Sequence, residues 1–125
     1  MNNEKYSIVI IDDETEILNV LSRYLTRNAN FSVTTYSNPI SALNAVGNSK
    51  VNLVLLDIMM PQMNGLEVLE KLKAKDPEQK VIMMTAYSTL DKVLKSHKEG
   101  ATNYVMKPFD SLQALEKKIL EVLKS

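Results

Sequence analysis

Four short apolar runs in this 125-residue chain each end in a polar side chain that could take part in chemistry. The runs end, in chain order, at Asp12-Asp13, Asp57, Thr85 and Lys107. A carboxylate at the end of a buried strand must pair, bind a metal or react, because an isolated buried charge costs several kcal/mol or more. The pattern therefore predicts one site that is assembled from the ends of four strands.

The residue types in this predicted site favour phosphoryl transfer. Three carboxylates that lie close together need a counter-charge, and a divalent cation with oxygen ligands such as Mg²⁺ provides it. Lys107 adds a fixed ammonium group and Thr85 adds a hydroxyl group. A metal, an ammonium, a hydroxyl donor and a central carboxylate suit transfer of a phosphoryl group to an Oδ atom of Asp57. Asp12 and Asp13 could also serve only to place favourable negative charge at a helix N-terminus, and the two roles are compatible.

The elements that must position these side chains alternate between short apolar runs and longer segments of helical periodicity. This alternation predicts βαβ units and a parallel sheet. The predicted strands are 8–11, 31–35, 51–56, 80–84 and 102–106. The predicted helices are 14–28, 39–47 with Asn38 as its cap, a segment that follows Gly65 and stops near Asp76, 88–100, and a last helix capped by Asp110.

The predicted fold class is α/β, a flavodoxin-like, doubly wound parallel sheet of five strands with five helices. In the strand order 2-1-3-4-5, the four strands that end in candidate site residues are contiguous, and the second strand lies at an edge. Ligands of such sheets bind beyond the carboxyl ends of the strands, near the switch point between strands 1 and 3. Asp12, Asp13 and Asp57 would flank that point.

Composition narrows the class of protein further. The chain has 15 basic and 15 acidic residues, so its net charge of zero predicts no direct binding to nucleic acid or membrane. With no cysteine it can form neither disulfides nor thiolate metal sites, which fits a cytoplasmic protein. No apolar stretch approaches the length of a membrane-spanning helix, and no signal peptide is evident. The length predicts a single domain over residues 1–125.

Taken together, the motifs resemble the receiver domain of two-component response regulators, in the form of a single receiver like the chemotaxis regulator. The resemblance covers residues 6–124. The matching stretches are IDDE at 11–14, LLDIMMPQMNG at 55–65, MTAY at 84–87 and YVMKPF at 104–109. Their order and separation make the combination specific, although no single stretch is decisive.

The resemblance implies a role for each residue of a metal and phosphoacceptor site. Asp57 would be the phosphoacceptor. Asp13 would ligate Mg²⁺ directly and Asp12 largely through water, and the backbone carbonyl of Met59 would be a further ligand. Asp57 would also ligate the ion, and Mn²⁺ would substitute for Mg²⁺.

The resemblance also implies how phosphorylation would be read out. Thr85 and Lys107 would bind the phosphoryl oxygens, Thr85 would move toward the phosphoryl group, and Tyr104 would rotate inward into the vacated space. The Lys107–Pro108 peptide bond would be cis. The surface of the fourth helix, fifth strand and fifth helix would then change by a population shift between two packings.

The implied partners are a histidine kinase or a phosphotransfer protein upstream and a downstream protein or fused output domain on that switching surface. The chain would be a monomer or a phosphorylation-dependent dimer. It would gain and lose its own phosphoryl group without turning over another substrate, and would therefore not be an enzyme in the usual sense.

Two other functional classes fit the sequence less well. An aspartyl-phosphate phosphatase of the haloacid dehalogenase type needs a second acid two residues after the nucleophile, where this chain has Met59. A flavodoxin-type redox carrier needs a loop rich in hydroxyl groups and glycine after the first strand. The acidic loop at 12–16 would instead repel the phosphate of a flavin cofactor.

Overall fold

The computed structural model describes residues 5–86, 103–107 and 111–125, and for residues 85, 86, 104 and 106 it describes the backbone alone. Strands and helices alternate along these residues as far as β4. The elements are β1 (Tyr6–Ile11), α1 (Thr15–Leu25), β2 (Phe31–Tyr36), α2 (Pro39–Gly47), β3 (Leu53–Asp57), α3 (Gly65–Lys75), β4 (Val81–Ala86), β5 (Asn103–Lys107) and α4 (Leu112–Lys124).

The strands form one parallel sheet in the order β2-β1-β3-β4-β5, which is the predicted order. In the sheet register, Ile11 lies beside Leu56 and Asp57 lies beside Met84, so β1, β3 and β4 end close to one another. The predicted flavodoxin-like parallel α/β architecture is confirmed. Four helices lie within the described ranges, and the helix predicted over 88–100 lies outside them.

Alternate residues of the central strands face two separate apolar clusters, one on each side of the sheet. Ile10 and Leu55 point toward the cluster that α1 and α4 cover, whereas Ile11 and Leu56 point toward the cluster that α2 and α3 cover. All five residues of β3 are buried. Strands that are covered on both faces carry continuous apolar sequence, which explains why these runs lack the polar alternation of a half-exposed strand.

The end of α1 and the start of α4 differ from the sequence prediction. Helix α1 ends at Leu25 rather than at residue 28, because Thr26 is its C-cap and its hydroxyl donates to the Ser22 carbonyl at 2.7 Å. The predicted capping of the last helix by Asp110 is wrong. Ser111 is the N-cap of α4, and its Oγ accepts from the Ala114 N–H at 2.9 Å. Serine and aspartate are both good N-caps, so their order in sequence could not decide between them.

None of the helices in the described part of the chain is long and apolar enough to cross a membrane.

Candidate functional site

Three carboxylates meet where β1 and β3 end. Asp57 is the last residue of β3, and Asp12 and Asp13 directly follow β1. Each of the three offers an oxygen atom, and these oxygens all lie within 4.8 Å of one another. Asp12 is fully buried and Asp57 is 4% exposed, whereas Asp13 is partly exposed. The sequence prediction that these acids converge therefore agrees with the observed geometry.

Backbone hydrogen bonds orient the Asp12 carboxylate firmly and the Asp57 carboxylate only weakly. The Asp12 N–H donates to the Tyr36 carbonyl of β2 at 3.1 Å, and Asp12 Oδ1 accepts from the Glu14 N–H at 2.9 Å. The Met59 N–H donates to Asp57 Oδ1 at 3.4 Å, a long contact that orients the carboxylate only weakly. Both acids thus depend on the sheet and on the turns that follow its strands for their orientation.

The start of α3 closes over the end of β3, and this arrangement requires glycine. A Cβ atom at Gly65 would overlap the Asp57 carbonyl oxygen and would lie 2.6 Å from Ile58 Cα. The Gly65 N–H donates to the Ile58 carbonyl at 2.8 Å, and Asn64 caps the helix by accepting from the Leu66 N–H at 2.8 Å. Gly65 therefore begins the helix, where the sequence prediction had it precede the helix, and its missing side chain allows the close approach.

Lys107, the last residue of β5, reaches across the carboxylate cluster. Its Nζ lies 2.7 Å from Asp12 Oδ2, 3.2 Å from Glu14 Oε1 and 3.4 Å from Asp57 Oδ1. An ammonium group has three N–H donors, and this one has three carboxylate acceptors around it. Within the described ranges, these are the ion pairs of the molecule, and all three involve Lys107.

The cluster raises the pKa values of both Asp57 and Lys107. Burial raises the pKa of Asp57 from 3.8 to about 7, and the negative charge of Asp12 adds to this, against the opposing effects of Lys107 and the Met59 N–H. For Lys107, burial by itself would lower the pKa, but the hydrogen bond to Asp12 and the charges around it raise the pKa overall. Lys107 therefore stays positively charged, whereas ionisation of Asp57 costs free energy.

The donor set fits a hard divalent cation. Asp12, Asp13 and Asp57 provide closely spaced carboxylate oxygens, and Lys107 brings one positive charge to balance them, which leaves the cluster negative. Carboxylate oxygens are the ligands that Mg²⁺ and Mn²⁺ prefer. Burial and then the charge of Asp12 raise the pKa of Asp57, and such an ion would neutralise the negative charge of the cluster.

The remaining predicted site residues are only partly within the described structure. Met59 lies two residues after Asp57 and its side chain is 52% exposed. The backbone of Thr85 follows Met84 at the end of β4, and that of Tyr104 lies in β5 beside Met83. The side chains of Thr85 and Tyr104 lie outside what the structure describes, and so does the predicted cis bond to Pro108.

Glu14 joins the site, although the sequence prediction gave it no role. It is the N-cap of α1, but its side chain makes no capping hydrogen bond and lies instead against Lys107. In the sequence, Glu14 reads as one of several acids at the start of a helix, a common and favourable place for negative charge. The contact with Lys107 spans 93 residues, and no local signal could have revealed it.

Cavity size does not locate this site. A cavity of about 620 Å³ lies at the opposite edge of the sheet, between Tyr6 and Ser7 of β1 and Leu120 of α4. The carboxylate cluster is instead defined by charge and by convergence of strand ends, as expected for a small ion and a phosphoryl group.

The chain matches the response regulator receiver domain over residues 8–120. It is 37% identical over 110 residues to the sporulation initiation phosphotransferase F of Bacillus subtilis (strain 168), covering 88% of this chain and 86% of that protein. It is 40% identical over 106 residues to the DNA-binding transcriptional regulator NtrC of Klebsiella pneumoniae, covering 85% of this chain and 22% of that protein.

A solved structure shows the same fold along almost the whole chain. The response regulator receiver domain protein (CheY-like) of Methanospirillum hungatei JF-1 superposes with a TM-score of 0.91 at 35% identity, covering 97% of this chain and 95% of that one. The chain spans about a quarter of the length of several regulators that it matches, 22% for NtrC and 26% for ZraR of Klebsiella oxytoca. The chain therefore belongs to the response regulator receiver domain family, the phosphoacceptor domains of two-component systems.

Proposed function

We propose that Asp57 is the residue that accepts the phosphoryl group. The observation that carries this proposal is the position of Asp57 at the end of the buried strand β3, beside two further carboxylates and the Lys107 ammonium. An Oδ atom of Asp57 would attack the phosphorus atom of the donor, and the bond from phosphorus to the leaving group would break. With a phosphohistidine donor, the leaving group is the imidazole nitrogen.

The neighbouring residues would hold a cation and the phosphoryl oxygens. Asp12, Asp13, Asp57 and the Met59 carbonyl would hold Mg²⁺, or Mn²⁺ in its place. When bound, the ion supplies positive charge that neutralises the carboxylates and the phosphoryl oxygens. Lys107 already lies 3.4 Å from Asp57 Oδ1, so its ammonium is in reach of a phosphoryl group attached there.

The switching residues belong to the same proposal. Thr85 would bind a phosphoryl oxygen through its hydroxyl group, and Tyr104 would change its packing in response. Support comes from the backbone positions, because Met84, the neighbour of Thr85, lies beside Asp57 in the sheet. The Lys107–Pro108 peptide bond would be cis.

The upstream partner would be a histidine kinase or a phosphotransfer protein, as the relation to a sporulation phosphotransferase and to transcriptional regulators suggests. Phosphorylation would alter the surface of the predicted helix 88–100, β5 and α4. A downstream protein, a fused output domain or a second copy would read it. Residues 1–125 would form one cytoplasmic domain with five helices that turns over no external substrate.

Intact-mass spectrometry after incubation with acetyl phosphate tests the central assignment. We expect wild type to gain one phosphoryl group in the presence of Mg²⁺ and none in the presence of EDTA. Asp57→Asn should gain none under either condition, because the nucleophilic carboxylate is missing.

Asp76→Asn is the matched control, since Asp76 is an exposed acid at the end of α3 and should leave the gain intact. A phosphoryl gain in Asp57→Asn would place the acceptor elsewhere. No gain in wild type would contradict phosphorylation by small donors and leave the domain to act through binding alone.

A further inference from the structure

The three ion pairs of Lys107 differ greatly in their exposure to solvent. The Asp12 side chain is fully buried, and that of Asp57 is 6% exposed, whereas that of Glu14 is 60% exposed. The ion pair between Glu14 and Lys107 is therefore the one that water and salt weaken most. The Glu14 carboxylate can separate from Lys107 at a small cost in free energy.

The way Glu14 is anchored explains why its carboxylate lies at Lys107. Its backbone N–H donates to Asp12 Oδ1 at 2.9 Å. Asp12 therefore binds Lys107 at 2.7 Å and also positions the residue that precedes α1. An N-cap side chain usually accepts from the first turn of its own helix, but that of Glu14 makes no such bond. The Glu14 side chain is thus available to contact Lys107.

We propose that Glu14 is a positioning residue that restrains Lys107 in the unphosphorylated domain and competes with the phosphoryl group for it. This inference rests on the proposed phosphorylation of Asp57. Lys107 has three N–H donors and, before phosphorylation, three carboxylate partners. A phosphoryl group on Asp57 adds further oxygens with a charge approaching −2. Lys107 must then give up a partner, and the exposed Glu14 is the one most easily lost.

Removal of the Glu14 charge should therefore favour phosphorylation. We expect Glu14→Gln to raise the initial rate of phosphorylation by acetyl phosphate, at fixed Mg²⁺, about two- to five-fold, the effect that an exposed ion pair typically has on an equilibrium. The rate is measured by intact-mass spectrometry.

Glu16→Gln is the matched control for general electrostatics. Glu16 is exposed, lies in the first turn of α1 two residues away, and forms no ion pair with the part of the chain that the structure describes. Its removal should leave the rate unchanged. Equal acceleration in both variants would mean that the donor responds only to net charge, which would overturn the proposal.

A second readout does not depend on phosphorylation. The ¹⁵N resonance of the Lys107 ammonium in the unphosphorylated, EDTA-treated protein should shift in Glu14→Gln and stay in place in Glu16→Gln. It should also shift in Glu14→Asp, which keeps the charge but is one methylene too short for the contact. If the Lys107 resonance does not change when Glu14 is replaced, the proposal that Glu14 restrains Lys107 is overturned.

The two readouts separate the failure of this inference from the failure of the proposed function. If wild type gains no phosphoryl group, the assignment of Asp57 fails, while the resonance of Lys107 still reports whether Glu14 holds it. If wild type is phosphorylated and Glu14→Gln matches it in rate, the competition between Glu14 and the phosphoryl group is excluded.

Discussion

Asp57 occupies a position where its negative charge is unfavourable. Burial, and then the charge of Asp12, raise its pKa to about 7, and the nearby Lys107 only partly offsets them. Near neutral pH the protonated and ionised forms are therefore both populated in the absence of a cation. Attack on phosphorus needs the ionised form, so a cation that neutralises the cluster would also prepare the nucleophile.

The raised pKa gives a pH-dependent prediction for stability. The pKa of Asp57 is about 7 in the folded state and 3.8 in the unfolded state, so the folded state binds the proton more tightly. The contribution of protonated Asp57 to the free energy of unfolding is therefore fully present below pH 3.8 and is lost as the pH rises through 7. In EDTA above pH 7, Asp57→Asn should be more stable than wild type by about 1–3 kcal/mol. The difference should shrink as the pH falls toward 4, and urea unfolding across this range measures it.

The exposed Asp76 again provides a control, because Asp76→Asn should have nearly the stability of wild type. Addition of Mg²⁺ should stabilise wild type more than Asp57→Asn, since the ion needs the carboxylate. An Asp57→Asn advantage that widens as the pH falls would contradict the assigned direction of the pKa shift.

At the scale of the elements, the junction between β3 and α3 holds the site together. Gly65 begins α3 directly against the Asp57 carbonyl oxygen, and the Gly65 N–H donates to the next carbonyl, that of Ile58. Asp57 therefore lies between its neighbouring strands on one side and the start of a helix on the other. Any displacement of α3 must move the backbone of Asp57.

Gly65→Ala tests this arrangement. The added methyl would overlap backbone atoms of Asp57 and Ile58, which cannot yield as a side chain would, so we expect a loss of about 1–3 kcal/mol of stability. Phosphorylation should slow as well, because the carboxylate is displaced. Urea unfolding and mass spectrometry with acetyl phosphate measure the two effects.

Gly47→Ala is a matched control in another helix. Gly47 is the last residue of α2, and a methyl there would meet only the flexible end of the Lys75 side chain. Alanine also favours helix, so this variant should be neutral or slightly stabilising. Equal losses in the two variants would show that the Gly65 effect is not specific to the junction.

For the whole molecule, the two apolar clusters share the same strands. Leu21 of α1 packs in one cluster and Leu69 of α3 in the other, and both side chains are fully buried. Because neighbouring residues of each central strand face opposite clusters, neither side of the sheet keeps its packing once the other side is lost. The described residues should therefore unfold as one cooperative unit.

Leu21→Ala and Leu69→Ala should each cost about 2–5 kcal/mol while preserving a single transition. The measurement is urea unfolding followed both by far-ultraviolet circular dichroism and by tyrosine fluorescence. Val20→Ala, at a side chain that is 50% exposed, should change stability little. Different midpoints for the two probes in either core variant would show that the two sides of the sheet unfold separately.

The sequence by itself determined the architecture and most of the carboxylate site. Buried parallel strands need continuous apolar runs, and the helices that cover them need apolar residues with a period near 3.6. Both patterns can therefore be recognised in short stretches of sequence. The doubly wound fold class then gave the strand order, and the strand ends that meet at one side of the sheet placed Asp12, Asp13 and Asp57 together.

Only the tertiary structure decided how strongly these residues act on one another. The pKa of Asp57 depends on burial by the whole fold, and the contact of Glu14 with Lys107 joins residues 93 positions apart. The closeness of Gly65 to the Asp57 carbonyl depends on where α3 settles on the sheet. Such effects follow from distances of a few ångströms between elements that are remote in sequence, and residue order alone does not specify those distances.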